Sequence, residues 1–431
     1  MKCRVLAVVS AALLVVILVT LMSAPGAWAQ STYKTLYRFT GGAAGWAPNA
    51  LIFDQAGSLY GMTSVGGLIG DCHLTNNGSC GVVFKLTPNP NGSWTESVLH
   101  SFTGGADGGA PFAGLIFDQA GNLYGTTNQG GNGYGVVFEL TQNPDGSWTE
   151  NVLHTFCSLT NCDDGRYAEA GLIFDTAGNL YGTTVQGGGS SYCSGGCGVV
   201  FKLTSNPDGS WTESVLHSLM GGNDGVSLAT GSLIFDTTGN LYGTTTWGGG
   251  STACGFGGCG TVFRLTPNPD GSWTESLLHS FRGGKDGSNP WAGLIFDGTG
   301  DLYGTTTTGG AYSAGMVFEL IPNPDGSWKE KLLHLFTGGK DGGAPYGGLI
   351  FDQAGNLYGM TEAGGAGGYG VVFKLTPNSN GGWNQRLLWT FADHPGAYPA
   401  AGLIFDAAGN LYGTTQGDGT TTFGSVFEIT P

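Results

Sequence analysis

Charge is scarce in this chain. Asp, Glu, Lys and Arg make up 11% of its 431 residues, and the 15 basic ones are outnumbered by 31 acidic ones. With a formal charge of −16, Lys and Arg are too few to displace counterions from phosphates, so a nucleic-acid partner is not expected. Docking on an anionic membrane surface is disfavoured for the same reason. Histidine is rare as well, at seven residues. No Gly-x-Ser-x-Gly elbow, zinc-type ligand spacing or phosphate loop stands in a supporting context, so no cofactor and no metal are expected. Apolar runs are short everywhere except near the N-terminus, which leaves no later segment able to span a bilayer.

What the chain has in abundance is glycine, 82 residues, set among short apolar bursts. The bursts follow one pattern: an apolar run ending in Asp, a turn that is usually Gly-Asn, then Leu-Tyr-Gly and two small residues. Seven copies begin at Leu51, Leu115, Leu172, Leu233, Leu294, Leu349 and Leu403, spaced 54 to 64 residues apart. A period of that length marks a repeat architecture.

Residues 1–29 read as a secretory signal peptide. Lys2 and Arg4 supply the basic region, residues 5–22 the apolar region, and Ala27-Trp28-Ala29 a small-x-small cleavage site. An apolar stretch of this length would also serve as an uncleaved anchor. Residues 30–431 are expected to form one secreted or periplasmic domain, monomeric and free of the membrane after cleavage, with no C-terminal anchor before Pro431. Removing Cys3 with the leader leaves eight cysteines in four tight pairs, Cys72/Cys80, Cys157/Cys162, Cys193/Cys197 and Cys254/Cys259. An even count in an exported chain reads as disulfides. Each would contribute about 2–2.6 kcal/mol by closing so short a loop. Metal ligation is the alternative, but no pair has a second Cys or His pair at zinc-site spacing.

The second copy shows what one repeat builds. Residues 114–118 form a short apolar run suited to a strand buried on both faces, and residues 119–122 a turn opened by Asp118. Residues 123–127 and 135–141 make a second and a third strand. Asn143-Pro144-Asp145-Gly146 is a hairpin turn, and Trp148 to Phe156 alternate as a half-buried fourth strand does. Seven units of four antiparallel strands predict an all-β, seven-bladed β-propeller. A linear solenoid would need distinct caps at both ends. Here the last copy stops after its third strand, at residues 424–430, and residues 33–39 are an orphan fourth strand aligning with residues 383–391. The N-terminal strand is therefore expected to complete the last blade and close the ring, removing an open edge.

The motif Gly-Leu-Ile-Phe-Asp-x-x-Gly-Asn-Leu-Tyr-Gly-Thr-Thr, as at residues 114–127 and 171–184, resembles the bacterial GloVer tandem-repeat family over residues 33–431. The resemblance implies an exported, sometimes surface-anchored protein with no assigned activity. The Asp-x-x-Gly-Asn-Leu-Tyr core is also similar to six-bladed NHL and lactonase-like propellers, a likeness that carries no catalytic residues across.

Strand alternation places the loops between strands two and three, and the links between blades, on one face. The two-three loops hold 17, 7, 13, 14, 8, 8 and 8 residues in order. Cysteine pairs staple the three long ones, and Cys157/Cys162 staples a link. Variable loops on a rigid scaffold are where function usually sits. An aromatic residue ahead of the inner strand recurs at Trp46, Phe112, Tyr167, Trp291, Tyr346 and Tyr398, with Leu228 in the remaining copy. These rings are ligand-binding candidates able to stack on sugars, or they pack between blades. Trp94, Trp148, Trp211, Trp273, Trp328 and Trp383 open strand four and read as packing.

His100, His154, His217, His279 and His334 share a position that takes Trp389 or Tyr37 elsewhere, so they read as packing residues. Asp107, Asp164, Asp224, Asp286 and Asp341 form a second repeated set, in Asp-Gly links that do not converge enough oxygens for calcium. The least repetitive charged cluster is Asp163, Asp164, Arg166 and Glu169, the candidate catalytic residues if acid–base chemistry occurs. The reading is a binding module for carbohydrate or a cell-surface partner. The alternatives are a polysaccharide hydrolase or lyase acting through acidic loop residues, and a purely structural surface protein.

Overall fold

A computed structural model describes residues 31–70, 72, 78–228, 230–392, 397–417 and 423–431. The proposed leader and the unique histidines His73 and His394 lie outside the described residues. No helix among the described residues is long and apolar enough to cross a membrane.

Seven antiparallel sheets stand around one axis. Blade 1 consists of Trp46–Phe53, Leu59–Val65, Val82–Pro88 and Trp94–Ser101, in that order from the axis outwards. Blade 2 repeats it with Ile116–Phe117, Leu123–Thr126, Val136–Gln142 and Trp148–Thr155. In blade 4 an additional short strand, Val226–Leu228, also pairs with Leu241–Trp247.

The ring closes as the split repeat predicts. Thr32–Arg38 pairs antiparallel with Ser425–Thr430 and serves as the outer strand of blade 7. Its equivalence to the other outer strands extends to a β-bulge. Each complete blade shifts register at one place on the outer strand, as between Val83 and Phe84, and the closing strand shifts between Thr35 and Tyr37. The extra residue there is Leu36, matching Leu99, Leu153 and Leu278. A bulge re-aims the side chains beside it. Here it brings the following residue, His in five blades and Tyr37 in the closing strand, towards the seam with the next blade.

The inner strand departs from expectation. In six blades only two residues pair, such as Ile116 and Phe117, and both are half-exposed; full burial begins one residue earlier at Leu115. Seven strands crowd around one axis, so isoleucines such as Ile116 face the axial cavity instead of a second layer.

The core lies between blades. Each third strand contributes a fully buried Phe, such as Phe138 and Phe318. A Cβ on the Gly of the neighbouring Leu-Tyr-Gly would come within 2.6 Å of the Phe318 ring at Gly304, which is why that position is glycine in every copy. The outer-strand tryptophans pack as expected, four of the six edge-on to the Tyr of the preceding blade, as Trp211 on Tyr124 and Trp273 on Tyr181, both at 6.4 Å. Turn Asp118 accepts hydrogen bonds from the amides of Ala120 and Asn122 and from the Tyr124 hydroxyl, so its role is local geometry.

All four cysteine pairs are disulfides, Cys72–Cys80, Cys157–Cys162, Cys193–Cys197 and Cys254–Cys259. Spacing places these staples in three loops and one link, and the structure adds where each is anchored. The second cysteine of each pair, Cys80, Cys162, Cys197 or Cys259, is buried. Cys80 packs in the cluster of Phe102 and Phe138, Cys197 in that of Leu219 and Leu233, and Cys259 in that of Phe281 and Phe318. Cys162 ends the short 3-10 turn Thr160–Cys162 of the link after blade 2. The physical reason is that the second cysteine of the three loop pairs stands at the entry to the third strand, where burial between blades begins. These three bonds therefore tie a variable loop to the inter-blade core.

Candidate functional site

Just before each inner strand, one non-glycine residue takes a left-handed backbone. Ala47, Ala110, Tyr167, Ser227, Asn289, Ala344 and Tyr398 have φ between 49 and 62°, a conformation L-residues adopt only when the surroundings impose it. Proline follows in five of the seven. This kink turns the residue two positions on towards the axis. Asn49, Phe112, Glu169, Trp291, Tyr346 and Ala400 occupy that position, and all six line an axial cavity of about 550 Å³. Its walls below are inner-strand residues such as Ile52, Ile116, Ile234 and Ile295.

The recurring aromatics therefore belong to three places. Phe112, Trp291 and Tyr346 line the cavity; Phe112 is 38% exposed and the other two are half-buried. Trp291 lies 5.7 Å from Tyr346 and 6.5 Å from Trp247, which extends the aromatic patch onto the loop rim. Tyr167 and Tyr398 hold the kink itself and pack edge-on to Tyr134 and Tyr369. Trp46 lies one residue ahead of the kink and packs on Phe423. The aromatics five residues before the repeat Leu hold the kink and those three before it line the cavity, except in blade 1, which is one residue shorter there. The left-handed residue aligns all seven, and the proline after it marks five of them in the sequence. The disulfides stand apart from this wall: Cys80, Cys162, Cys197, Cys259 and their partners are not among the lining residues.

The charged cluster also separates. Asp164 is fully buried and accepts hydrogen bonds from the Ser158 amide and hydroxyl and the Leu159 amide, with His154 Nε2 at 3.5 Å. The Arg166 guanidinium lies 5.4 Å from the rings of both Tyr134 and Tyr167. Asp163 is exposed. Of the four, Glu169 alone lines the cavity, and it is the one carboxylate among the described lining residues. Asn128 Nδ2 donates to its Oε1 at 2.8 Å, while burial pushes its carboxyl up to about 7.

A carboxyl whose pKa is raised on folding binds its proton more tightly in the native state. Its contribution to stability is full below the ordinary value of 4.5 and is lost as pH rises through about 7. Glu169→Gln keeps an acceptor for Asn128 and removes that penalty. The variant is expected to gain about 2–3 kcal/mol over the parent at pH 8 and nothing at pH 4. Urea unfolding of both proteins at the two pH values measures this.

The two repeated sets of His and Asp meet at the blade seams. His Nε2 to Asp oxygen distances are 3.6 Å for His100–Asp107, 3.3 Å for His217–Asp224, 3.5 Å for His279–Asp286 and 3.8 Å for His334–Asp341. Each of these rings apart from His217 also packs edge-on to a buried Phe, such as Phe102, so the packing role holds and a polar one is added. A Glu from the next blade's outer strand joins three of the pairs: Glu150, Glu275 and Glu330. Burial, aided by the facing Asp carboxylate, pushes Glu275 and Glu330 up to about 9.

Eight of the thirteen exposed large apolar side chains lie at the variable face, among them Leu68, Ile69, Phe112, Tyr192, Met220, Trp247 and Tyr312. The other five lie on the outer strands, and the Asn-Pro-Asp-Gly face has none among the described residues. The rings that open the cavity thus continue into the only apolar end of the described surface.

A closed ring of seven like blades with one variable face defines a tandem-repeat β-propeller. The chain belongs to the Gloeobacter/Verrucomicrobia repeat family, whose profile matches residues 26–194, 68–256 and 251–431. No curated protein matches the sequence. Among solved structures, the extracellular domain of the hybrid two-component system BT4673 from B. thetaiotaomicron superposes with a TM-score of 0.53 at 10% identity, over 92% of this chain and 39% of that one. A second structure, of the extracellular domain of BT4673 described as a one-component system, gives 0.50 at 11% identity, over 92% and 40%. This chain therefore spans about two fifths of their length, and the likeness shows the fold. An oxidoreductase (glucose dehydrogenase), TTHA0570 of Thermus thermophilus, superposes at 0.44 with 16% identity, over 74% and 96%.

Proposed function

We propose that this chain is an exported binding module that takes carbohydrate at the axial mouth of its variable face. The observation that carries the reading is the cavity of about 550 Å³ presenting Phe112, Trp291 and Tyr346 beside Glu169, Asn49 and Gln416. Flat rings cover the apolar faces of a sugar, and a few fixed polar groups select its hydroxyls, the usual composition of a ligand site. The kinked backbone holds these groups before ligand arrives, which lowers the ordering cost of binding. Four disulfides and the leader at residues 1–29 support export, to the periplasm or beyond, and the extracellular placement of the BT4673 domain agrees with it.

A glycan array with the mature protein identifies the sugar class, and calorimetry on the best hit tests the site. Trp291→Ala and Tyr346→Ala are each expected to weaken binding tenfold or more, with melting temperatures within a few degrees of the parent. Undiminished affinity in both variants would overturn the assignment.

Glu169 gives the enzymatic alternative its one supporting observation, since a carboxyl held near 7 suits a general acid. Glycoside hydrolysis normally uses two carboxyl groups facing each other across the bond. The described cavity lining supplies one, so binding is the better-supported reading.

A further inference from the structure

Three blade seams carry the same trio of side chains from three separate segments: a His on one outer strand, an Asp in the link that follows, and a Glu on the next outer strand. They are His100–Asp107–Glu150, His217–Asp224–Glu275 and His279–Asp286–Glu330, and within each trio one donor atom per residue lies within 4.8 Å of the other two. We propose that each trio is a binding site for a divalent transition-metal ion, a bolt between adjacent blades.

The donor set fits. One imidazole nitrogen and two carboxylate oxygens suit zinc, manganese or ferrous iron, whereas calcium takes six or more oxygens. Two carboxylates with a neutral imidazole carry the charge that a divalent cation balances. Ligands about 2.0–2.1 Å from a tetrahedral zinc stand roughly 3.3–3.4 Å apart. His217 Nε2 lies 3.3 Å from Asp224 Oδ1 and 3.8 Å from Glu275 Oε1, so only a small contraction is needed.

In the second and third trios the Asp oxygen that would ligate is the one the backbone leaves over, whereas both oxygens of Asp107 accept from Thr103. Asp224 Oδ2 accepts the Met220 amide and Asp286 Oδ2 the Arg282 amide, which leaves the Oδ1 of each turned towards its His. His100 Nε2, His279 Nε2, Glu150 Oε1, Glu275 Oε1 and Glu330 Oε1 are all buried with no hydrogen-bond partner in the protein. Buried polar atoms rarely stay unpaired, so five of them converging on repeated points is an observation independent of the acidic clustering.

A fourth seam holds His154, Asp164 and Glu213 without bringing them to the same distances; two others show what the chain does when a ligand type is missing. Beside His334 and Asp341 the Glu position holds Gln385, whose amide donates to the Asp341 carbonyl at 2.8 Å. Where the His position holds Tyr37, its hydroxyl donates to Glu96. In both, a neutral side chain stands where a ligand type is missing, while His334 Nε2 and Glu96 Oε1 stay without a hydrogen-bond partner there. The three complete trios have no such side chain.

The test uses untagged mature protein, stripped with chelator and titrated with Zn²⁺ and, separately, Mn²⁺, with Ca²⁺ as the oxygen-seeking control. Native mass spectrometry and calorimetry are expected to show three tightly held zinc ions per chain and a higher melting temperature with zinc. Glu275→Gln reproduces the natural arrangement at Gln385 and so is expected to fold; it should hold two zinc ions. Less than one equivalent of either transition metal in the parent, or three equivalents of zinc in Glu275→Gln, would overturn the proposal. The first result would mark the trios as carboxyl pairs sharing a proton.

Discussion

Deletion of residues 31–38 is expected to abolish the cooperative unfolding transition of the whole ring and not merely to trim one edge. The strand Thr32–Arg38 supplies the ladder for Ser425–Thr430, and its side chains bind three blades together. Tyr33 stacks on Trp389 at 4.5 Å and on Phe427 at 5.4 Å, and Leu36 is buried in the cluster it shares with blade 1. Losing these contacts costs about 5 kcal/mol from apolar burial, before the exposed ladder of Ser425–Thr430 is counted. That edge would also template pairing between chains. Thermal unfolding and light scattering measure both effects. A rearranged chain should recover the loss, with residues 31–38 moved beyond Pro431 through a copy of the Asn-Pro-Asp-Gly-Ser turn used elsewhere. If the rearranged chain melts like the deletion, the strand's contribution lies outside the pairing seen here.

The second large effect is expected at Phe318. Its ring is fully buried, meets Phe281 edge-on at 5.2 Å and covers Gly304. Phe318→Ala should destabilise by about 3–5 kcal/mol through lost burial and the cavity left behind. Gly304→Ala should destabilise by about 1–3 kcal/mol for the opposite reason, because the added methyl meets the ring. Combining Gly304→Ala with Phe318→Leu should cost less than the two separate effects added, since a smaller side chain admits the methyl. Strict additivity in urea titrations would show that the close approach is relieved by backbone movement.

The sequence made the scaffold legible because its signals are local or repeated. Asp118 opens its turn by bonding amides two and four residues on, and the orphan strand is visible by its likeness to residues 383–391. The disulfide pairing was legible from spacing, but the burial of Cys80, Cys197 and Cys259 was not, because it depends on the neighbouring blade. Two further features were hidden. The inner strand pairs over Ile116 and Phe117 only, since crowding at the axis shortens the ladder in a way that apolar run length does not encode. The seam trios join His217 to Glu275 of the following repeat, and no periodicity within one repeat links them. The bulge at Leu99 and its equivalents adds one residue to the outer strand, so simple alternation misplaces the His side chain. In the cavity, Glu169 was legible as an unusual residue. Phe112, Trp291 and Tyr346 were legible as candidates too, but only the left-handed residue separated them from Trp46, Tyr167 and Tyr398 and added Asn49 to the same wall.

Closure by the two ends of the chain also sets an order in time. Tyr33 finds its partner, Ile429, only when almost the whole polypeptide is available. Inner blades can form as they emerge, but the last sheet waits for the final segment, a contact of very high sequence separation and correspondingly slow to form. A chain passing through a membrane translocation channel N-terminus first would thus remain an open arc until release. Its first strand would stay free for recognition by a chaperone or a protease until the moment the ring locks.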